Sequence, residues 1–331
     1  MSVFRRGDQG AEVLDVQQRL AALGYALAPG ELAGWFGPST EAAIRAFQDL
    51  RHLRVDGLVG PDTWMQLVEA GFRFGDRTLY LHAPPFRGDD VRELQRKLNA
   101  LGFDAGKEDG LFGPLTDRAV REFQQNVGEE PDGIVGIETI STLERMRPTE
   151  SGPGRAVVRE DESMRAMRSS IDGQAIAIDA GRGVPAGDAF EQRIAAALAD
   201  ALAAMGAKPV VLERGGRAGP SDMARAANEL TATACISLQI ATAGSRAGGP
   251  VCAYFGSAST HSPAGKRLAE LVLEELDRGP GSPGRLERLT DAILRDTRMP
   301  AVLIQPGATT AADVPRVALA VADALRRFFA G

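Results

Sequence analysis

The chain has 331 residues, long enough for two or three domains of about 150 residues each. Its 44% hydrophobic and 25% charged residues are those of ordinary soluble globular domains, and no apolar run approaches the ~20 residues of a membrane span. A formal net charge of −6 gives no general attraction to nucleic acid or to an anionic bilayer, so neither is expected as a partner.

The N-terminus (MSVFRRGDQGAEV) has no apolar h-region and no small-residue cleavage site, so no secretory signal is read there and a cytoplasmic location is expected. The two cysteines, Cys235 and Cys252, each lie in an apolar strand-like segment. Buried free thiols fit a reducing compartment better than a disulfide framework does. A Cys235–Cys252 bridge across neighbouring strands is the other reading.

The first half is one unit written twice. VLDVQQRLAALGY from Val13 matches VRELQRKLNALGF from Val91, at an offset of 78 residues. Phe36-Gly37-Pro38 then matches Phe112-Gly113-Pro114, Phe47-Gln48 matches Phe123-Gln124, and DGLVG from Asp56 matches DGIVG from Asp132, all at an offset of 76. The first copy therefore carries two extra residues in its first loop. Val13, Val16, Leu20 and Leu23 recur at i, i+3, i+7 and i+10, the apolar stripe of a helix, with Gly24 as its C-terminal stop. The Phe-Gly-Pro segments open a second helix, and Asp-Gly-x-Val-Gly is a turn leading into a third. Each copy is expected to be three short helices around a small core, with Phe36, Phe47, Phe112 and Phe123 inside it.

These motifs closely resemble the peptidoglycan-binding domain family, over residues 5–71 and 86–146. The resemblance implies binding of peptidoglycan-type muropeptides, and Trp35 is the best exposed aromatic candidate for contacting them. Domains are accordingly expected at 1–71 and 86–146. Phe72–Pro85 reads as a stiff connector, in which His82, with no second His or Cys nearby, is a solvated residue rather than a metal ligand. Residues 147–174 read as the interdomain linker, with a short amphipathic helix expected over Val158–Ser169.

From Gln174 onward apolar strands alternate with helical patterns. Strands are expected at Ala175–Asp179, Pro209–Glu213, Ala234–Gln239, Pro250–Phe255 and Ala301–Gln305. Helices are expected near Ala189–Met205, Ser221–Leu230, Pro263–Leu276, Arg285–Arg295 and Asp313–Phe329. Such alternation predicts an α/β domain over 175–331, with a central, mostly parallel sheet flanked by helices. The overall class is then α/β: two small three-helix domains followed by one sheet domain. Sheets of this kind place ligands at the carboxyl ends of their strands, which directs attention to IAIDAGRG, residues 176–183.

This domain resembles the zinc-dependent N-acetylmuramoyl-L-alanine amidase family (amidase type 3). IAIDAGRG resembles that family's VxIDPGHGG, the segment from Arg225-Ala226-Ala227-Asn228 to Gln239 resembles R…AN…ADLFISIH, and Arg295–Gln305 resembles LRxTxMPAVLVE. In the family, the first His, a Glu opening the next helix and the second His bind zinc, and the last Glu is the general base. Here those positions carry Arg182, Gln239 and Gln305, and an ungapped count places the Glu position near Gly187 or Asp188, with Glu191 about one helical turn away. Arginine has no lone pair to give a metal, and a glutamine amide is a poor zinc ligand and no base.

Two readings follow. In the first, catalysis and metal are gone, no cofactor is bound, and Arg182, Asp188, Gln239 and Gln305 are left as a ligand-binding surface in which Arg182 pairs Asp188 or holds a ligand carboxylate or phosphate. In the second, the domain is an active amidase with an altered metal site built from Asp188, Glu191 and His261. A plain surface ion pair for Arg182 is a third, purely structural, alternative. Glu213–Pro220 (ERGGRAGP) adds a weak glycine-rich candidate for an anion-binding turn. The whole arrangement also resembles a group of actinobacterial regulators with a degenerate amidase domain and Arg in IDPGRGG. That resemblance implies a cytoplasmic, non-hydrolytic regulator of peptidoglycan precursor synthesis, with an enolpyruvyl transferase or another cell-wall synthesis enzyme as partner. Those regulators end in a phosphorylated tail, whereas this sequence stops at Gly331, so control through such a tail is not expected.

Overall fold

The computed structural model describes residues 3–146, 170–181, 190–213, 219–239, 248–257, 260–279, 282–307 and 311–331. Two compact units divide the chain at residue 159. Arg182, Asp188, the Val158–Ser169 segment and most of the glycine-rich run after Glu213 lie outside the described residues.

The N-terminal unit contains α1 (Ala11–Ala22), α2 (Pro38–Leu50) and α3 (Pro61–Glu69), then α4 (Asp89–Ala100), α5 (Pro114–Val127) and α6 (Ile137–Arg145). Each triplet encloses its own core: Val16, Leu20, Phe36 and Phe47 in the first, Leu94, Leu98, Phe112 and Phe123 in the second. The four phenylalanines are buried, as expected. The copies are tied together by Arg51, just past the end of α2, whose guanidinium forks onto Asp89 of α4 at 2.7 and 2.5 Å.

The structure shows a deeper repeat than the one legible in the sequence. Gln17, Gln48, Gln95 and Gln124 are each buried on a helix and clamp the turn that opens the next one. Gln48 Nε2 donates to Asp56 Oδ1, Leu58 O and Thr63 Oγ1, while its Oε1 accepts from the Gly57 amide. Gln95 and Gln124 repeat this with Asp109, Leu111, Thr116 and Gly110, and with Asp132, Ile134, Thr139 and Gly133. Gln17 does so with Trp35 O, Thr40 Oγ1 and the Gly34 amide, but Ala33 stands where the others have Asp. Glu31 supplies the missing carboxylate, accepting from the Ser39 and Thr40 amides and the Thr40 hydroxyl. Burial pushes this carboxyl up, and these hydrogen bonds outweigh it and bring it down to about 2.

The connector reading of 72–85 is corrected. Leu79 is 1% exposed and forms an isolated antiparallel bridge with Val135, the counterpart of Phe4 with Val59. Burying one apolar side chain and pairing its backbone packs Leu79 into the core of the second repeat rather than leaving it in a solvated spacer.

The two copies also serve as controls on each other. After α2 the chain turns with His52 at φ 52°, and after α5 with Gly128 at φ 78°. Only glycine enters this left-handed region without steric cost. His52→Gly is expected to raise stability by about 0.5 kcal/mol, and Gly128→His to lower it by about 1 kcal/mol. Urea midpoints of the two variants check both signs.

The C-terminal unit holds β1 (Ala175–Asp179), α7 (Phe190–Ala204), β2 (Lys208–Leu212), α8 (Pro220–Glu229), β3 (Ala234–Leu238), β4 (Val251–Phe255), α9 (Pro263–Asp277), β5 (Arg285–Leu289), α10 (Ala292–Asp296), β6 (Ala301–Gln305) and α11 (Val314–Ala330). The sheet order is β2-β1-β3-β6-β4-β5. The first four strands run parallel, β4 lies antiparallel to β6, and β5 is parallel to β4. One face is covered by α7, α9 and α11 over Ile176, Ile178, Ile236 and Ile304; the other by α8 and α10 over Ala177, Cys235 and Leu303.

The expected helix over Arg285–Arg295 is replaced by β5 and the short α10. Leu286, Leu289 and Ile293 mimic a helical stripe, but RLERL pairs with the open edge of β4, and Asp291 then caps a new helix by accepting from the Ile293 amide. Both cysteines are free and buried, and β6 lies between their strands, which removes the disulfide reading. Burial pushes the Cys252 thiol well above its ordinary range.

Candidate functional site

The carboxyl ends of the parallel strands β1, β3 and β6 form one rim of the sheet. Odd positions along these strands share the face covered by α8 and α10, which puts Asp179, Ser237, Gln239 and Gln305 on a common side. Asp179 and Ser237 are register partners, and Ser237 Oγ donates to Asp179 Oδ2 at 2.8 Å. Asp179 Oδ1 accepts from the Gly181 amide at 3.3 Å. Both residues are buried, so the carboxylate that closes the apolar run braces the turn leaving β1 rather than facing solvent.

That turn is tight. Gly181 has φ +72°, and a Cβ there would lie 2.3 Å from Leu238 O and 3.6 Å from Glu191 Cγ. Glu191, in the first turn of α7 and 6% exposed, is thus the carboxylate standing beside the β1 turn, one helical turn past the positions reached by an ungapped count. A carboxylate at that end of a helix is favoured by the unpaired amides there. Gln239 and Gln305 are half-buried at the ends of β3 and β6, and the Gln239 amide donates to Ile304 O at 2.9 Å.

His261 is elsewhere. It is exposed, bridges Gly256 just beyond β4, and rests its ring 6.2 Å from Tyr254. Because β4 runs opposite to β6, with Val251 beside Gln305 and Tyr254 beside Val302, this is the far end of the sheet. Five residues of strand place it roughly 15 Å from Gln305.

A hydrolytic zinc takes three protein ligands drawn from Cys, His, Asp and Glu and keeps water at the fourth position. Among the described rim residues the candidates are Asp179, already accepting from Ser237 and Gly181, and Glu191; Gln239 and Gln305 offer only amides. Nowhere among the described residues do three His, Cys, Asp or Glu side chains converge for a metal. The described donor set does not fit a zinc ion. Nor is any helix among them long and apolar enough to cross a membrane.

Trp35, the candidate in the first repeat, is 39% exposed, and Gln17 holds its carbonyl at 2.8 Å, so its ring is presented from a fixed turn. Tyr80, also 39% exposed, lies in the 72–85 segment, where the connector pattern gives no signal for a binding residue.

Comparison with known proteins accords with both halves. Residues 9–67 and 87–143 match the family model described as a putative peptidoglycan binding domain. The chain is 36% identical over 334 residues to the N-acetylmuramoyl-L-alanine amidase CwlM of Mycobacterium tuberculosis, covering 93% of this chain and 82% of that protein. It is 32% identical over 165 residues to the amidase CwlL of Bacillus licheniformis, covering 44% of this chain and 46% of CwlL. Among solved structures, the amidase Ami1 of Mycobacterium smegmatis aligns at a TM-score of 0.40 and 18% identity, over 48% of this chain and 98% of that one. The chain belongs to the N-acetylmuramoyl-L-alanine amidase family, in its CwlM type, with two peptidoglycan-binding domains ahead of the amidase-like domain.

Proposed function

We propose that the chain is a catalytically inactive amidase-like protein that regulates or scaffolds peptidoglycan precursor synthesis in the cytoplasm. Its ligand is a muropeptide or peptidoglycan precursor, and its protein partner a cell-wall synthesis enzyme such as an enolpyruvyl transferase. The observation that carries this reading is the pair of glutamines at the strand ends, Gln239 just after β3 and Gln305 as the last residue of β6. Family resemblance gives these positions to a zinc-binding His and a general-base Glu. An amide can neither complete a zinc site nor take a proton from water, but it both donates and accepts hydrogen bonds, which suits it to holding a peptide-like ligand. Arg182 and Asp188 join them in the proposed ligand-binding rim.

The hydrolytic alternative needs Asp188, Glu191 and His261 around one metal. The roughly 15 Å between His261 and the rim weighs against it.

Metal analysis of the purified chain together with a muropeptide-hydrolysis assay tests the reading. The expected result is substoichiometric zinc and no release of stem peptide, with added zinc changing nothing. Stoichiometric zinc accompanied by stem-peptide release would overturn it.

A further inference from the structure

We infer that Tyr80, His82 and Phe86 form a saccharide-binding ledge on the second repeat; this rests on the reading that the repeats bind muropeptide, and names where the sugar sits. The duplicated repeat supplies the first argument. From the bridging residue to the glycine before the next helix, the first copy uses Phe4 to Gly10, whereas the second uses Leu79 to Gly88, three residues longer. Between those two points the second copy has YLHAPPFR, in place of the polar RRGDQ of the first copy. Tyr80 and His82 thus have no aromatic counterpart in the first copy, while Phe86 is half-buried against the core of the second and anchors them to it.

The rings form a cluster with polar edges. Tyr80 lies edge-on to His82 at 5.8 Å and to Phe86 at 5.3 Å, while His82 and Phe86 are inclined by 32° at 5.6 Å. Tyr80 is 39% exposed and His82 is exposed too, in a chain with only 5% aromatic residues. His82 Nδ1 sits 2.9 Å from Pro84 O, an acceptor only, so Nδ1 donates to it and Nε2 is left to meet a ligand hydroxyl. The Tyr80 hydroxyl has no hydrogen-bond partner among the described residues.

The support beneath is rigid. Arg77 lies 5.0 Å from the Phe86 ring and is held by the buried Asp90 at 2.7 Å. Leu79, next to Tyr80, is locked into the core by its bridge to Val135. Across that bridge the exposed Ile134 faces the same way as Tyr80. A pyranose offers the complementary surface: a face of C–H groups for the ring, hydroxyls for Nε2 and the phenol, and an N-acetyl methyl for Ile134.

The test uses the full chain, with chemical shifts of the Tyr80 and His82 rings and calorimetry as readouts. Three probes are titrated: a soluble disaccharide-tetrapeptide muropeptide, a peptide-free β-1,4-linked N-acetylglucosamine oligomer, and the free stem tetrapeptide. Both sugar-containing probes are expected to shift the two rings. Tyr80→Ala combined with His82→Ala should weaken them about tenfold, while Tyr80→Phe keeps most of the affinity. Both altered side chains are exposed, and an unchanged melting temperature shows that the fold survives. Muropeptide binding that is unaltered in the double variant overturns the ledge and leaves the muropeptide reading standing. Oligosaccharide binding that the double variant loses, with no muropeptide bound by the unaltered chain, keeps the ledge and overturns that reading. No binding of either sugar-containing probe, or binding of the stem peptide alone, overturns the ledge.

Discussion

Gly181→Ala will destabilise the C-terminal unit by about 3–5 kcal/mol and leave the N-terminal unit unmoved. Two costs add. Placing a Cβ at φ +72° costs about 1–2 kcal/mol by itself. The larger cost is steric: the new methyl would sit 2.3 Å from Leu238 O, a backbone atom at the end of a strand paired on both sides. Something in the rim must shift, and the nearest neighbours are the brace from Asp179 and the buried Glu191. Gly173 is the internal control, with φ +74° and nothing within 4 Å of its virtual Cβ. Gly173→Ala should therefore cost only about 1 kcal/mol. Hydrogen exchange at the β1 and β3 amides, with calorimetry of the whole chain, separates the two. Equal losses for both variants would show that the close approach at the rim is not what fixes this glycine.

The same turn shows what sequence can and cannot supply. The apolar strands were legible because parallel strands buried on both faces read as continuous Val, Ile and Ala runs; β6 begins and ends where its run does, at Ala301 and Gln305. The edge strand β5 was not legible, since Arg285, Glu287 and Arg288 are the charges an edge needs and carry no strand periodicity. At the rim, residue types at Gln239 and Gln305 could be read directly. The position of Glu191 could not, because it depends on where α7 begins relative to the β1 turn. In the N-terminal half, motifs at constant offset revealed two copies, but the fourfold clamp escaped. Its glutamine-to-glycine spacing is 17, 9, 15 and 9 residues, so only closure of the turn in space makes the four equivalent. Leu79 escaped for a related reason: a bridge one residue long has no period.

Gln95→Ala should be among the most damaging changes in the N-terminal unit, lowering its stability by about 3 kcal/mol. The side chain is buried and closes the α4-to-α5 turn with three donated bonds and one accepted. Truncation leaves the Gly110 amide without its acceptor and Leu111 O without its donor in a dry site, which costs more than a bond exchanged with water. Thr116 retains Ala105 O, and Asp109 retains the Leu111 amide, so the turn loosens without losing every contact. Gln17→Ala should cost less, about 2 kcal/mol, because Glu31 independently holds Thr40 and the opening of α2. Gln95→Glu separates hydrogen bonding from packing. It preserves shape, removes both donors and sets a carboxylate against Asp109, whose Oδ1 accepts at 2.8 Å in the parent chain. Two carboxylates so placed share a proton more readily than two charges, so the folded state raises their affinity for it. A group with its folded-state pKa raised is penalised at neutral pH and relieved below the raised value. Gln95→Glu should therefore recover part of its lost stability as pH falls toward 5, while Gln95→Ala does not. Denaturation at the two pH values distinguishes them, and parallel behaviour of the two variants would sink the clamp as the origin of the loss.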